Sequence, residues 1–161
     1  MKLDLGSTAK LRTLINYLEI VAALHEYYAT ISPNALRAVT VHPDDRLTQW
    51  ALDFLITTPH SSLLHMLDAA MDRQYSANPK ERFFTGGSMH AFVNFHPHDD
   101  TRDMSVREAF RRSVNLVFVR MMRDIAQYYT AQLPDVIEEM KAGHVSTSQP
   151  SRREPNASPE R

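Results

Sequence analysis

Ser7 and Lys10 stand three residues apart in the stretch Gly6-Ser7-Thr8-Ala9-Lys10-Leu11-Arg12, close to the start of a 161-residue chain. On a helix that spacing puts both side chains on one face, one turn apart, where the lysine amine can reach the serine hydroxyl. A lysine held neutral by desolvation can take the serine proton, and the helix N-terminus beside it favours developing negative charge. Acyl transfer through an acyl-serine is the chemistry this pair suits. The same residues also read as an N-cap serine with a solvated lysine, since two fixed positions of common residue types recur by chance.

A Ser-x-Asn triplet occurs as Ser76-Ala77-Asn78 and again as Ser113-Val114-Asn115. The first is followed by proline and charged residues and reads as a turn. The second sits between the capping box Ser105-Val106-Arg107-Glu108 and the apolar run from Leu116 to Tyr129. Serine and asparagine favour turns and caps over helix interiors, so Ser113-Val114-Asn115 is expected to interrupt a helix rather than ride on it.

Taken together and in this order, Gly6 to Lys10, the segment "FVNFHPHDD" at 92 to 100, and residues 105 to 125 resemble the transpeptidase domain of class A penicillin-binding proteins. The resemblance covers about Gly6 to Tyr129. It is closest to divergent bifunctional members with a glycosyltransferase domain upstream. It implies Ser7 as the acylated nucleophile, Lys10 as its base, Ser113 as a proton shuttle and Asn115 as the ligand of the substrate backbone amide. The implied substrate is a peptidoglycan stem peptide, with β-lactams as analogues, and no metal or cofactor is called for.

The departures from that family are as informative. Its third element, Lys-Thr/Ser-Gly on a strand edge, contributes to the oxyanion hole and pairs with the substrate. Only Lys141-Ala142-Gly143 approximates it, and that triplet reads as a helix C-cap. The family's sheet strands should precede Gly6, where only Met1–Leu5 stand, and the spacing between the two serine motifs is long, with about Ile56 to Gly87 as extra material. The expected fold is therefore mainly α: the helical lobe of a penicillin-binding or serine β-lactamase-like transpeptidase domain, with most of the sheet missing. Residues 1–143 form this truncated domain and 144–161, polar and proline-containing, a disordered tail. The implied activity is that of a D,D-transpeptidase fragment, weak or inactive alone. The alternative is a catalytically silent helical interaction or remnant domain. The implied partner is a second chain supplying the missing strands. Full-length relatives would act at the inner membrane facing the periplasm, and nothing in this chain places it in a compartment.

These residues need elements to carry them. Leu11, Leu14, Ile15, Leu18, Val21, Ala22 and His25 give a helical rhythm from Thr8 to about Thr30. A second helix is expected after Ser32-Pro33, ending near Val41-His42-Pro43, and a third from Pro43-Asp44-Asp45 to Thr57-Thr58-Pro59. A fourth, capped by Ser61 or Ser62, runs through Met71. A loop with one short strand near Phe92-Val93-Asn94-Phe95 fills Arg82 to Asp103, and a last amphipathic piece runs from Pro134 to Lys141. Tyr17, Tyr27, Tyr28, Tyr128, Tyr129, Met121 and Met122 read as helical core. Arg111, Arg112, Arg120 and Arg123 read as solvated faces or helix–loop pairings.

Composition narrows the function classes. A formal net charge of −1 with mixed signs leaves no basic stripe for nucleic acid. The absence of cysteine excludes disulfides, thiolate metal sites and cysteine nucleophiles. No apolar run approaches a membrane span. His96-Pro97-His98-Asp99-Asp100 offers metal-ligand types, but the intervening proline limits how the two rings converge, and a polar loop is the reading preferred.

Overall fold

Polar residues take part in the buried face of the first helix, and this decides how the rest of the chain packs. In the computed structural model, residues 2–3, 6–80, 83–85, 88–94 and 96–146 are described, with backbone alone for 2–3, 83–85, 88–92 and 141–146. Helix α1 (Ser7–Tyr28) buries Lys10, Thr13, Leu14, Tyr17, Ile20, Val21 and Leu24. That stripe is rotated from the one marked by apolar residues alone, and Leu11 and Ile15 are left 46% and 49% exposed. The rotation is tolerated because each buried polar group finds an acceptor: Thr13 Oγ1 donates to Ala9 O, Tyr17 Oη to Ala70 O, and Lys10 to Ser113.

The next three helices start where the sequence places their caps. Ser32 caps α2 (Pro33–Leu36), Asp45 caps α3 (Arg46–Thr57), and Ser62 caps α4 (Leu63–Met71), each side chain accepting a backbone N–H. Helix α2 is a single turn and stops well short of Val41. Beyond Leu36 the chain meets Val39, Thr40 and Val41, β-branched residues that carry a helix poorly without a buried face to hold it.

Around α1 lies one core. It holds Tyr17, Val21 and Leu24 of α1, Leu47, Ala51 and Leu55 of α3, and Met66 and Ala70 of α4. Val106 and Ala109 of α5 (Val106–Arg112) and Val117, Phe118 and Met121 of α6 (Asn115–Ser146) complete it. The segment from Ile56 to Gly87 is no appendage, since it supplies Met66, Ala70, Tyr75 and Ala77 to this core. Of the tyrosines expected inside, Tyr17 is fully buried, but Tyr27 and Tyr129 are 70% and 50% exposed.

The region expected to hold one strand holds several. β2 (Gln74–Ser76) pairs antiparallel with β5 (Asp103–Ser105), Tyr75 opposite Met104. β4 (Ser88–Phe92) lies between β3 (Phe83–Thr85), antiparallel, and β1 (Lys2–Leu3), parallel. Of the strand expected near Phe92-Val93-Asn94-Phe95, Phe92 closes β4, Val93 and Asn94 lie beyond it in no strand, and Phe95 is outside the described residues. Two glycines in sequence between Thr85 and Ser88 are a hairpin signal that the loop reading passed over.

Contacts divide the chain into two units, Met1–Ala131 and Gln132–Arg161. In the second, α6 continues through Pro134 to Ser146, so Pro134 opens no new helix. The proline removes one helical hydrogen bond, at exposed positions where water can take the freed carbonyl. Leu133, Val136, Ile137 and Met140 form an exposed apolar stripe on this stretch. The helix includes His144, Val145 and Ser146; residues 147–161 of the expected tail lie outside the described residues.

A buried polar knot ties α1, the end of α4, β2 and α6 together. Tyr75 Oη donates to Asp124 Oδ2 at 2.8 Å, Arg73 Nη1 donates to Tyr75 Oη at 2.9 Å, and the Arg73 guanidinium rests against the rings of Tyr17, Trp50 and Tyr75. Burial pushes the Tyr75 and Tyr17 phenols above their ordinary range, the Arg73 charge working in the opposite direction. A phenol raised on folding contributes stability that is complete below its unfolded pKa and lost as pH climbs above it. The urea midpoint should therefore fall as pH rises beyond about 10, and Tyr75→Phe should flatten that fall. A midpoint indifferent to pH in this range would show that the phenols are not held protonated by the fold.

Candidate active site

Lys10 sits on the inner face of α1 and is 5% exposed. An amine buried there has to give its N–H groups to oxygen. Its Nζ lies 2.7 Å from Ser113 Oγ and 2.7 Å from Ser113 O, joining positions 103 residues apart. Ser7 opens the same helix one turn before Lys10 and is exposed. Gly6 caps α1 without a side chain, and no acidic residue stands in the first turn, so neither caps the amides near Ser7 with a carboxylate. Gly6 itself has φ −65° and a Cβ there would meet nothing within 4 Å, so its backbone does not require glycine.

Ser113 is where the chain breaks between α5 and α6. Ser105 Oγ caps α5 by accepting from Glu108 N at 3.1 Å. The helix ends at Ser113 with φ 57° and ψ 42°, and Val114 N reaches back to Ala109 O at 3.0 Å, a C-terminal motif usually built on glycine. A serine in this left-handed region costs roughly 1–2 kcal/mol. Contacts around it hold the conformation: the two bonds from Lys10 on one side, and buried Val114 on the other.

Asparagines set the start of α6. Asn94, 8% exposed, accepts from Leu116 N through Oδ1 at 3.0 Å and donates through Nδ2 to Ala77 O at 2.7 Å and to Asp100 Oδ1 at 2.8 Å. Asn115 Nδ2 donates to Val93 O at 2.9 Å. Arg112 holds the neighbouring turn by bonding the buried Asp99 and, at 3.1 Å, Glu108 Oε1. The loop after β4 is thereby laced to the helix break that presents Ser113.

The structure thus brings Lys10 and Ser113 into contact, places Ser7 one turn along from Lys10, and sets Asn115 two residues from Ser113. Asn115 is 2% exposed with its amide engaged by Val93, so a substrate amide would have to compete for it. No family model, curated protein or solved structure matches this chain. The site therefore rests on its own geometry. The competing triplet, expected as a turn, runs off the end of a strand: Ser76 closes β2 and Ala77 N donates to Arg102 O, the turn coming only at residues 79–80. Asn78 N donates to Ser76 Oγ, Lys80 N to Asn78 Oδ1, and Arg120 donates to both Ser76 O and Asn78 O. Arg120 is consequently a buried helix–loop pairing rather than part of a solvated face. Lys141-Ala142-Gly143 has helical backbone within α6 and lies on no strand. His96 and His98 stack at 5.5 Å, and among the described residues no group of three His, Asp or Glu converges as a metal site.

Sequence reasoning gave Asn94 no role, although it quoted the segment that contains it. Nothing local marks an asparagine as the clamp of a helix that begins 21 positions later; burial and three partners do. Asn94→Ala, which leaves Leu116 N and Ala77 O without this partner, should cost about 2–3 kcal/mol in urea unfolding. Ser113→Gly should be close to neutral, since relief of the left-handed backbone offsets one lost hydrogen bond of about 1 kcal/mol. Ser113→Ala, with the strain kept, should be destabilised by about that 1 kcal/mol. Equal stability of the glycine and alanine variants would remove the strain argument.

Proposed function

We propose that this chain carries an acyl-serine site of the penicillin-binding transpeptidase kind. The observation that supports it is the placement of the Lys10 amine between two elements of the resemblance, one turn from Ser7 and 2.7 Å from Ser113 Oγ. Neutral Lys10 takes the Ser7 proton as Ser7 Oγ attacks the acyl carbon of a stem peptide or β-lactam. A neutral lysine amine is the base that this step requires. The tetrahedral centre then collapses, the acyl C–N bond breaks, and Ser113 Oγ relays the proton from Lys10 to the departing nitrogen. An amine or water releases the acyl group from Ser7 in the second half.

Two features argue for low turnover in the isolated chain. The sequence has no Lys-Ser/Thr-Gly triplet, so the cation and backbone donors of the family's third motif are missing. Asn115, the family's substrate ligand, is committed to Val93. The second reading, a catalytically silent helical interaction or remnant domain, draws on these same two features. A second chain supplying the missing strands would reconcile the built Lys10–Ser113 pair with the absent motif.

Incubation of the purified chain with a fluorescent penicillin, read by intact mass, separates the two. Covalent labelling is expected, abolished in Ser7→Ala and slowed by at least about a hundredfold in Lys10→Met, the scale of a lost general base. A folded chain that takes no label from penicillin or from an activated thioester would remove the enzyme reading and leave the silent one.

A further inference from the structure

Between α2, the loop that follows it and one face of α3 lies a concavity of about 460 Å³. Helix α3 turns Gln49, Leu52, Asp53 and Ile56 toward it, the i, i+3, i+4, i+7 spacing of a single helix face. Opposite stand Leu36, at the end of α2, and Val39 and Val41 of the loop. The floor is aliphatic: Leu36 and Leu52 are buried, and Val39, Val41 and Ile56 are half-buried. Gln49 holds the loop wall in place, giving Nε2 to His42 O at 3.0 Å and to Pro43 O at 3.1 Å, while Val39 N donates to Leu36 O at 3.2 Å. A wall set in advance costs a ligand less in ordering. Small-molecule sites take this form, roughly 300–1,000 Å³ of mostly apolar concavity with a few placed polar groups.

Two opposite charges line the same cavity. Arg37 is exposed and gives Nη1 to the neutral Asn34 Oδ1 at 2.9 Å; among the described residues no carboxylate meets it. Asp53 is exposed as well. Its backbone carbonyl accepts from Thr57 Oγ1 at 2.8 Å, but its carboxylate has no hydrogen bond or ion pair among the described residues. Arg37 and Asp53 thus share one cavity without pairing with each other.

We infer that this cavity binds a zwitterionic aliphatic amino acid of the leucine class. Arg37 donates to the ligand carboxylate, the ligand ammonium donates to Asp53, and the branched side chain lies on the floor of Leu36, Val39 and Ile56. A carboxylic acid of the same shape would set its anion near Asp53 with nothing to answer that charge. An amine would do the same at Arg37, and glycine would leave the aliphatic floor wet. Only a ligand with both charges and an apolar side chain meets all three surfaces, which is how one small pocket discriminates among such molecules.

The test is a titration of the full chain with L-leucine, followed through the Val39, Val41 and Ile56 methyl signals by NMR. Glycine, 4-methylpentanoate and 3-methylbutylamine serve as probes that each lack one of the three groups. Saturable shifts are expected with leucine, and each of the three probes should bind at least about tenfold more weakly, the scale of one lost contact. Arg37→Gln should weaken leucine about tenfold and remove its advantage over 3-methylbutylamine, and Asp53→Asn should remove its advantage over 4-methylpentanoate. Both variants should keep the urea midpoint, because neither exposed side chain is tied to a charged partner. Absence of saturation, a probe that binds as tightly as leucine, or affinity that survives both substitutions would each overturn the assignment. This site is independent of the acyl-serine reading, and penicillin labelling is not its readout.

Discussion

A lysine on the buried face of a helix constrains everything around it, because its amine must be met by oxygen or the helix cannot pack. Among the described residues, Lys10 gives hydrogen bonds to both the hydroxyl and the carbonyl of Ser113, 103 positions away. The first helix is thereby fixed against the break between α5 and α6. Had Lys10 pointed outward, the apolar stripe through Leu11 and Ile15 would have been free to turn inward. Both of these residues instead stand about half exposed.

The break itself is built from side chains where a glycine would have served the backbone with less strain. Ser113 occupies a left-handed conformation and is held there by Lys10, by the back-bonded Val114 and by the loop that Asn94 and Asn115 fasten. Strained positions of this kind persist where the surroundings over-determine them, and they concentrate at sites that do chemistry. In the proposed reading the strain presents a hydroxyl to an amine. For the silent reading, the same arrangement is a way of turning the chain between two helices.

Arg73, Tyr17, Tyr75 and Asp124 form a second buried polar assembly with a different logic. A carboxylate and a guanidinium at the core boundary add little net stability by themselves, since desolvation offsets much of their attraction. What they supply is placement. Stacking Arg73 among three rings and tying Tyr75 to Asp124 sets β2 against α6 in one register. Mispairing these elements would leave a buried charge unmet, so the arrangement excludes alternatives more than it deepens the native well.

Much of this architecture was legible in the chain because its causes are local. Ser32, Asp45, Ser62 and Ser105 mark helix starts through bonds to N–H groups three residues on, and Ser113-Val114-Asn115 marks a break by residue type. The Ser-x-x-Lys and Ser-x-Asn motifs also contain Lys10 and Ser113, which the structure brings into contact. The true face of α1, the single turn of α2, the pairing of β1 with β4, and the clamp by Asn94 were not legible. Hydrophobic periodicity counts apolar side chains, and it cannot register that Lys10, Thr13 and Tyr17 are buried because acceptors arrive from elsewhere. Sequence alone determined where helices begin and which residues were chemically capable. Only the tertiary structure decided which of them meet, because a buried amine or amide is stable only when a partner from a distant part of the chain is brought to it.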